Sequence, residues 1–492
     1  MKIQFSATVV LCLMAKAGYA GVALGTLPVA DVKAPKYAIK SNYEIMYNDS
    51  PKKVESFMEM FQQGTFYGRL RSNTFMYNWE KESSTQQDHI TSGLGGSLVY
   101  KSASLDAFDF TAAFYYTHGF TDISPEDVTY MKGGAEVLNR FDYSNTGSQD
   151  LGVLGQAYLR YTGITQSEVS VGRQLVETFY TKSNDTKMIP NTFDAVVFDT
   201  NIIRNTQVKV GYLAKEKLRG HSDAHSVLVY GDANSSSSLN PSWDENDDSA
   251  MHKGLTYTKL EAAGKADQPL IVSDLHNTSI KDLKLDASMY SVPELISQGM
   301  VEANYNIPLG KELSIAPGVR YIKQFDNGAG AIGGAALDGT TTGYNDPASL
   351  EGQMLAARLV TSYKNYKLNF GYTDVFDEAD LVTPWRGFPT AGYTRSMARY
   401  NWVANTKSYR AELTINDNKS GVYKDLMMQF SALHTDADEA KGQYDENYYY
   451  AGFIQNLPTM PEFQWRFRLG YQETENPNAD TVDTRLEFNY MF

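Results

Sequence analysis

The chain has 492 residues, 42% of them hydrophobic and 21% charged, with a net charge of -14 and a mean hydropathy of -0.40. That composition excludes a bundle of membrane helices and a disordered polymer. The acidic balance excludes a general nucleic-acid binder, which needs a basic face.

At the N-terminus, Met1 and Lys2 precede a mostly apolar stretch from Ile3 to Met14. Gly18, Tyr19 and Ala20 then place small residues at the -3 and -1 positions of a cleavage site. Residues 1–20 read as a signal peptide cleaved after Ala20, which directs export; a buried first helix is the plainer alternative. The sole cysteine, Cys12, lies in this stretch, with Leu11 rather than a small residue before it, so a lipoprotein site is rejected. The mature chain then has no disulfide framework. Residues 21–63 are expected as a periplasmic N-terminal segment. Ser56 to Gln63 reads as a short amphipathic helix ended by Gly64, placed at the pore mouth.

From residue 64 the dominant pattern has period two, the mark of strands with two unlike faces. Expected strands run over 64–79, 89–103, 108–119, 151–162, 166–176, 193–203, 206–218, 269–276, 281–292, 298–308, 312–325, 350–363, 366–377, 404–416, 422–435, 444–456, 463–474 and 481–492. The weakest is 269–276, required by parity. In the last strand Val482, Thr484, Leu486, Phe488, Tyr490 and Phe492 share one face, and Asp483, Arg485, Glu487 and Asn489 the other. Tight connections alternate with long ones at 120–150, 177–192, 219–268, 326–348 and 378–403. Short turns on one side and long loops on the other point to an all-β fold, a transmembrane antiparallel β-barrel of about 18 strands, with about 16 as the alternative count. Only helices or closed barrels satisfy their backbone in lipid, and no mature segment approaches ~20 apolar residues. The 34 tyrosines and 23 phenylalanines would supply the two interfacial girdles. Phe492 ends the chain on the lipid side, where the barrel assembly machinery would read it.

Of 16 arginines, alternation puts nine on the polar face of a strand: Arg69, Arg71, Arg160, Arg320, Arg358, Arg410, Arg466, Arg468 and Arg485. Inward Lys209 and Lys367 add to them, and the inward acids are fewer, chiefly Glu168, Glu302, Glu412, Asp483 and Glu487. Residues two apart in a strand project to the same side about 6.5–7 Å apart. If the first strand closes on the last, Arg69, Arg71, Arg466, Arg468 and Arg485 line one sector of the lumen. Guanidinium is always charged and matches a carboxylate with a planar fork, so such a row would pass an anionic head group from site to site. The plainer alternative is that these arginines pair with inward acids and fill a polar interior.

Two stretches then become informative. Val171-Gly-Arg-Gln-Leu-Val-Glu-Thr-Phe179 with Asn184-Asp-Thr-Lys-Met-Ile-Pro-Asn-Thr-Phe-Asp194 resembles the third-loop region of OprD-family outer-membrane porins. Gly68-Arg-Leu-Arg71 and Trp385-Arg-Gly-Phe-Pro-Thr-Ala-Gly-Tyr-Thr-Arg-Ser-Met397 continue the resemblance. It implies an 18-stranded, substrate-specific channel for small carboxylate-bearing nutrients, narrowed by the third and seventh long loops, with a basic ladder on its wall. Here those loops are 177–192 and 378–403, with Lys182, Asp185, Lys187, Arg386, Tyr393 and Arg395 as constriction residues. Lys182 and Lys187 would present positive charge opposed by Asp185. Lys187 stands where many members carry Arg, and Phe179 where Pro is common.

The remaining signals are weaker. His221 and His225 with Asp223 are spaced to clip a metal but sit in a long polar loop, where solvated side chains are expected. Asp244 to Asp248 resembles the start of a calcium loop without its sixth-position glycine. No cofactor, metal site or catalytic constellation is expected. The expected partners are small anionic or zwitterionic solutes, outer-membrane lipid and lipopolysaccharide, with the chain a monomer or homotrimer. The rival readings are an adhesin or passive structural barrel with a plugged lumen, and an outer-membrane barrel hydrolase.

Overall fold

A computed structural model describes residues 51–231, 250–416, 418–419 and 421–492, with short strands at Tyr37–Ile39 and Ile45–Tyr47. The expected signal peptide, Cys12 and the acidic run Asp244 to Asp248 lie outside the described residues.

Eighteen long strands form the wall: β1 Thr65–Trp79, β2 His89–Lys101, β3 Phe108–Thr121, β4 Asp150–Tyr161, β5 Ser167–Gln174, β6 Thr192–Thr200, β7 Thr206–Lys217, β8 Leu270–Asn277, β9 Leu283–Val292, β10 Ile296–Tyr305, β11 Leu313–Asp326, β12 Gly352–Tyr363, β13 Tyr366–Val375, β14 Thr406–Ile415, β15 Leu426–Asp436, β16 Glu446–Leu457, β17 Met460–Thr474 and β18 Thr481–Met491. Each pairs antiparallel with its chain neighbours, and β18 returns to β1, from Thr481 opposite Trp79 to Met491 opposite Arg69. Phe492 completes the seam, its N–H donating to the Gly68 carbonyl at 3.1 Å and its carbonyl accepting from Gly68 at 3.0 Å. Closure leaves no unpaired edge, the condition for a sheet to stand in lipid.

All eighteen expected strands are present, including β8. The largest boundary difference is at β15, which starts at Leu426 rather than 422. The two faces follow the alternation. Leu70, Ile90, Leu94, Leu98, Phe114 and Phe370 are exposed on the outside, while Arg69, Arg71, Asn73, Phe75 and Tyr77 of β1 are buried inside. Among the described residues no helix is long and apolar enough to cross a membrane.

One end of the barrel carries tight turns, such as Lys364-Asn365 between paired Tyr363 and Tyr366. The other carries the long loops. The third joins β5 to β6 and the seventh joins β13 to β14, as the spacing predicts. The fifth, residues 293–295, is nearly absent.

The long loops do not stand out in solvent. They fold back and build two apolar cores inside the bore. One gathers Tyr180, Val227, Leu255, Leu260, Tyr344, Leu381, Trp385 and Trp402 from four loops against Tyr290, Met300 and Met354 of the wall. The other packs Val128, Val137 and Leu138 of the second loop, with Met188 and Ile189 of the third, on Phe75 and Tyr115. Burial of such surface away from water stabilises the loops as it would a soluble domain.

Candidate functional site

The third and seventh loops meet in mid-bore through their backbones. The Lys182 N–H donates to the Trp385 carbonyl at 2.9 Å and the Gly387 N–H to the Tyr180 carbonyl at 3.0 Å, around a Thr181–Arg386 bridge. The approach is tight enough that a Cβ on Gly387 would stand 2.1 Å from the Phe179 carbonyl oxygen. Arg386 adopts φ +69°, a left-handed conformation unusual for a residue with a side chain. The third loop is also held to the wall, because the Phe179 N–H donates to Asp274 of β8 at 2.7 Å. A proline at 179 has no such donor.

This bridge separates two cavities. The outer one, about 940 Å³ at the long-loop end, lies against β14 to β18 and the end of β1. Its wall holds Lys132, Lys187, Arg219, Arg386, Arg395, Arg399, Arg410, Arg468 and Arg485, against the acids Glu136, Glu412, Glu446 and Asp483. The inner one, about 620 Å³, lies against β8 to β11. There Lys182, Lys284, Arg320 and Arg386 face Glu177, Asp274, Asp286 and Glu302, so the charges balance. Asn184, Arg386, Phe388 and Ala391 belong to both walls, so the two cavities meet among them.

The nine strand arginines all face inward, but they do not form one open row. Arg410, Arg468 and Arg485 reach the outer cavity and Arg320 the inner one. Closure brings Arg69, Arg71, Arg466, Arg468 and Arg485 together in register, and acids then intervene. Arg69 and Arg71, each 2% exposed, both bind Asp185 of the third loop, Arg71 at 2.6 Å. Arg71 also reaches Glu487 at 2.8 Å and the Asp185 carbonyl at 2.8 Å. Asn73, next on the same face, donates to the carbonyls of Thr186 and Lys187. These three β1 side chains therefore clamp the tip of the third loop. Arg466 donates to Gln464 at 2.5 Å, and Arg485 pairs with Asp483 at 2.5 Å.

Elsewhere the pattern repeats. Arg160 binds Asp109 at 2.9 Å, and Arg410 pairs with Glu412. Arg320 and Arg358 share Glu302 at 2.5 and 3.0 Å. Both guanidiniums also lie over the Tyr393 ring and donate to the backbone of the seventh loop, Arg320 at Pro389 and Ala391 and Arg358 at Gly392. Tyr393 is thus an anchor of the seventh loop against the wall.

The expected opposition of Lys182 and Lys187 to Asp185 is corrected. Asp185 is taken by Arg69 and Arg71, while Lys182 lies 3.7 Å from Glu177 and Lys187 3.6 Å from Glu136. Glu136, from the second loop, also binds Arg219 at 2.6 Å and Arg386 at 2.8 Å. One carboxylate therefore braces cations from the third, fourth and seventh loops. Lys187 is buried over the Phe75 ring. Burial and the neighbouring Arg485 guanidinium pull its pKa down to about 7, against the opposing pull of Glu136. Arg395 lies over Phe388, 3.6 Å from the ring centre; burial lowers it to about 10, so it stays charged at neutral pH.

Glu136 and Arg219 were not legible in the sequence, because long loops carry no periodicity. Asn73 and Asp274 were missed as well, though period two could have found them, since both sit on the inward face of an expected strand. His221 and His225 depart from expectation. Both are buried, their ring centres 4.8 Å apart, because the fourth loop folds into the bore. Among the described residues no group of three or more His, Cys, Asp or Glu is disposed to hold a metal ion.

No protein-family model and no curated protein sequence matches the chain. Solved structures do. Acinetobacter baumannii OccAB3 superposes with a TM-score of 0.66 at 15% identity, over 87% of this chain and 99% of that one. The barrel is that of these channels. Pseudomonas aeruginosa OccK9 (OpdG) gives 0.66 at 15% identity over 88% and 99%. Pseudomonas aeruginosa OpdK, solved with vanillate, gives 0.63 at 12% over 87% and 98%. These neighbours are OprD-family outer-membrane porins, so the fold implied by the resemblance at 68–71, 171–194 and 385–397 is the fold found.

Proposed function

We propose that the chain is an OprD-family outer-membrane porin through which small carboxylate-bearing or zwitterionic solutes diffuse passively, without chemistry. The observation that carries this reading is the outer cavity, where nine cations stand against four acids in a chain of net charge -14. A cleft lined by one sign of charge raises the local concentration of the opposite ion and steers it inward. Below it, the contact of the third and seventh loops narrows the bore, and the balanced inner cavity holds an anion less strongly. That graded attraction supports entry and release, as conduction requires. Export through residues 1–20 and recognition of Phe492 by assembly machinery belong to the same proposal.

The test is a planar-bilayer reversal potential under a salt gradient. Anion preference is expected. Arg468→Gln with Arg485→Gln should shift the potential toward cation preference, since the wall loses two cations and Asp483 loses its counter-charge. A cation-preferring parent protein, or no shift, would count against the reading. The apolar loop cores favour one rival, a plugged structural barrel, and the absence of discrete current steps in the same recording would support it.

A further inference from the structure

The helix before β1 lies against the outer face of the barrel, not in the pore mouth. The helix Phe57–Gln62 is capped by the Ser56 hydroxyl, which accepts from the Glu59 N–H. Its Phe61 carbonyl accepts from the Tyr100 hydroxyl at 2.8 Å. Tyr100 alternates with Leu94 and Leu98 and so points outward from β2. The chain then turns into β1 at Gly64, where a Cβ would stand 2.3 Å from the Tyr100 hydroxyl oxygen. The Met60 carbonyl accepts from Ala103 at 2.9 Å, fixing the helix to the first tight turn.

At 100° per residue, Phe57, Met58, Met60 and Phe61 share one broad arc, and Glu59 and Gln62 the opposite one. Met60 is buried. Phe57 and Met58 are 69% and 66% exposed, and Phe61 43%. A six-residue helix with three such side chains turned outward needs a covering. It sits at the tight-turn rim beside the outward Tyr100, whose ring centre lies 4.8 Å from that of Phe66; Phe108, Tyr490 and Phe492 are exposed on the same outer face of the barrel.

We propose that this helix is an interfacial anchor, with Phe57, Met58 and Phe61 in the acyl boundary of the periplasmic-side leaflet next to the rim of β1 and β2. Phe61 is tied to the outward Tyr100, whose ring packs on the outward Phe66, so the helix joins the lipid-facing aromatics of the wall, and that continuity assigns lipid rather than a protein as its occupant. An amphipathic helix with Phe on one face and charge on the other lies in the plane of such an interface. The proposal rests on the membrane reading above.

The test uses the full chain carrying Cys12→Ser, with single substitutions Phe57→Cys, Met58→Cys, Glu59→Cys and, as a wall control, Leu94→Cys. Each is labelled with an environment-sensitive fluorophore and folded into phosphatidylethanolamine–phosphatidylglycerol vesicles. Nitroxide lipids labelled near the headgroup should quench positions 57 and 58, and aqueous iodide should quench position 59. Iodide quenching of 57 and 58 with Leu94 quenched by lipid overturns the anchor alone. Protection of 57 and 58 from both quenchers also overturns it, and indicates a protein partner or a second copy. A Leu94 label untouched by nitroxide lipid overturns the membrane reading and the anchor with it.

Discussion

Lys187 is the cation of the outer cavity whose charge is most open to pH. Glu136, Arg219, Arg485 and Asp483 surround it, and burial outweighs the acids. Its folded pKa of about 7 lies below the ordinary 10.5, so between those values the folded chain holds fewer protons than the unfolded one. Stability therefore rises with pH across that window and is lost as pH falls through about 7. The cavity loses one positive charge in the opposite direction. Anion preference, read as reversal potential, is expected to fall as pH rises from 6 to 8, and Lys187→Arg should flatten that change because guanidinium does not titrate there. A parent protein with a flat profile would show that Lys187 stays charged throughout. At this scale the sequence was partly legible. Alternation identified which arginines face inward, because side-chain direction is local. It could not identify their partners, since Arg71 meets Asp185 and Glu487 only through loop folding and barrel closure.

Among the elements, the third and seventh loops act as one bridge, because two backbone hydrogen bonds and the close approach at Gly387 join them. A side chain at 387 must displace the Phe179 carbonyl. Gly387→Val is expected to destabilise by about 1–3 kcal/mol, the usual cost of overpacking, and to raise single-channel conductance by parting the loops. Thermal unfolding and bilayer recording together check this, and unchanged conductance would place the narrow point elsewhere. The strands were legible because a wall between lipid and a polar interior imposes period two on every crossing. The strand ends were less so, since turn residues tolerate either assignment. The loop cores were hidden: Trp385, Tyr180 and Leu255 come together from three separate loops, and none shows a pattern of its own.

For the whole molecule, the contrast between an acidic chain and a basic outer cavity predicts a strong salt dependence. Screening extends about 10 Å at 0.1 M salt and about 3 Å at 1 M. Anion preference should therefore weaken steeply over that range if it arises from the summed field of the vestibule. A preference independent of salt would instead point to direct coordination at one site. Strand count and order followed from the sequence because each hairpin joins chain neighbours.

The two cavities do not lie one above the other. The outer leans on β14 to β18 and the inner on β8 to β11, with Asn184 and Phe388 at the crossing. If solutes pass as proposed, a traveller entering along one flank must leave along another, so transit would demand sideways displacement as well as descent. Long, stiff molecules would have to pivot at the crossing, whereas compact or jointed ones of equal girth slip round it. Rigidity, not width alone, becomes a criterion of admission.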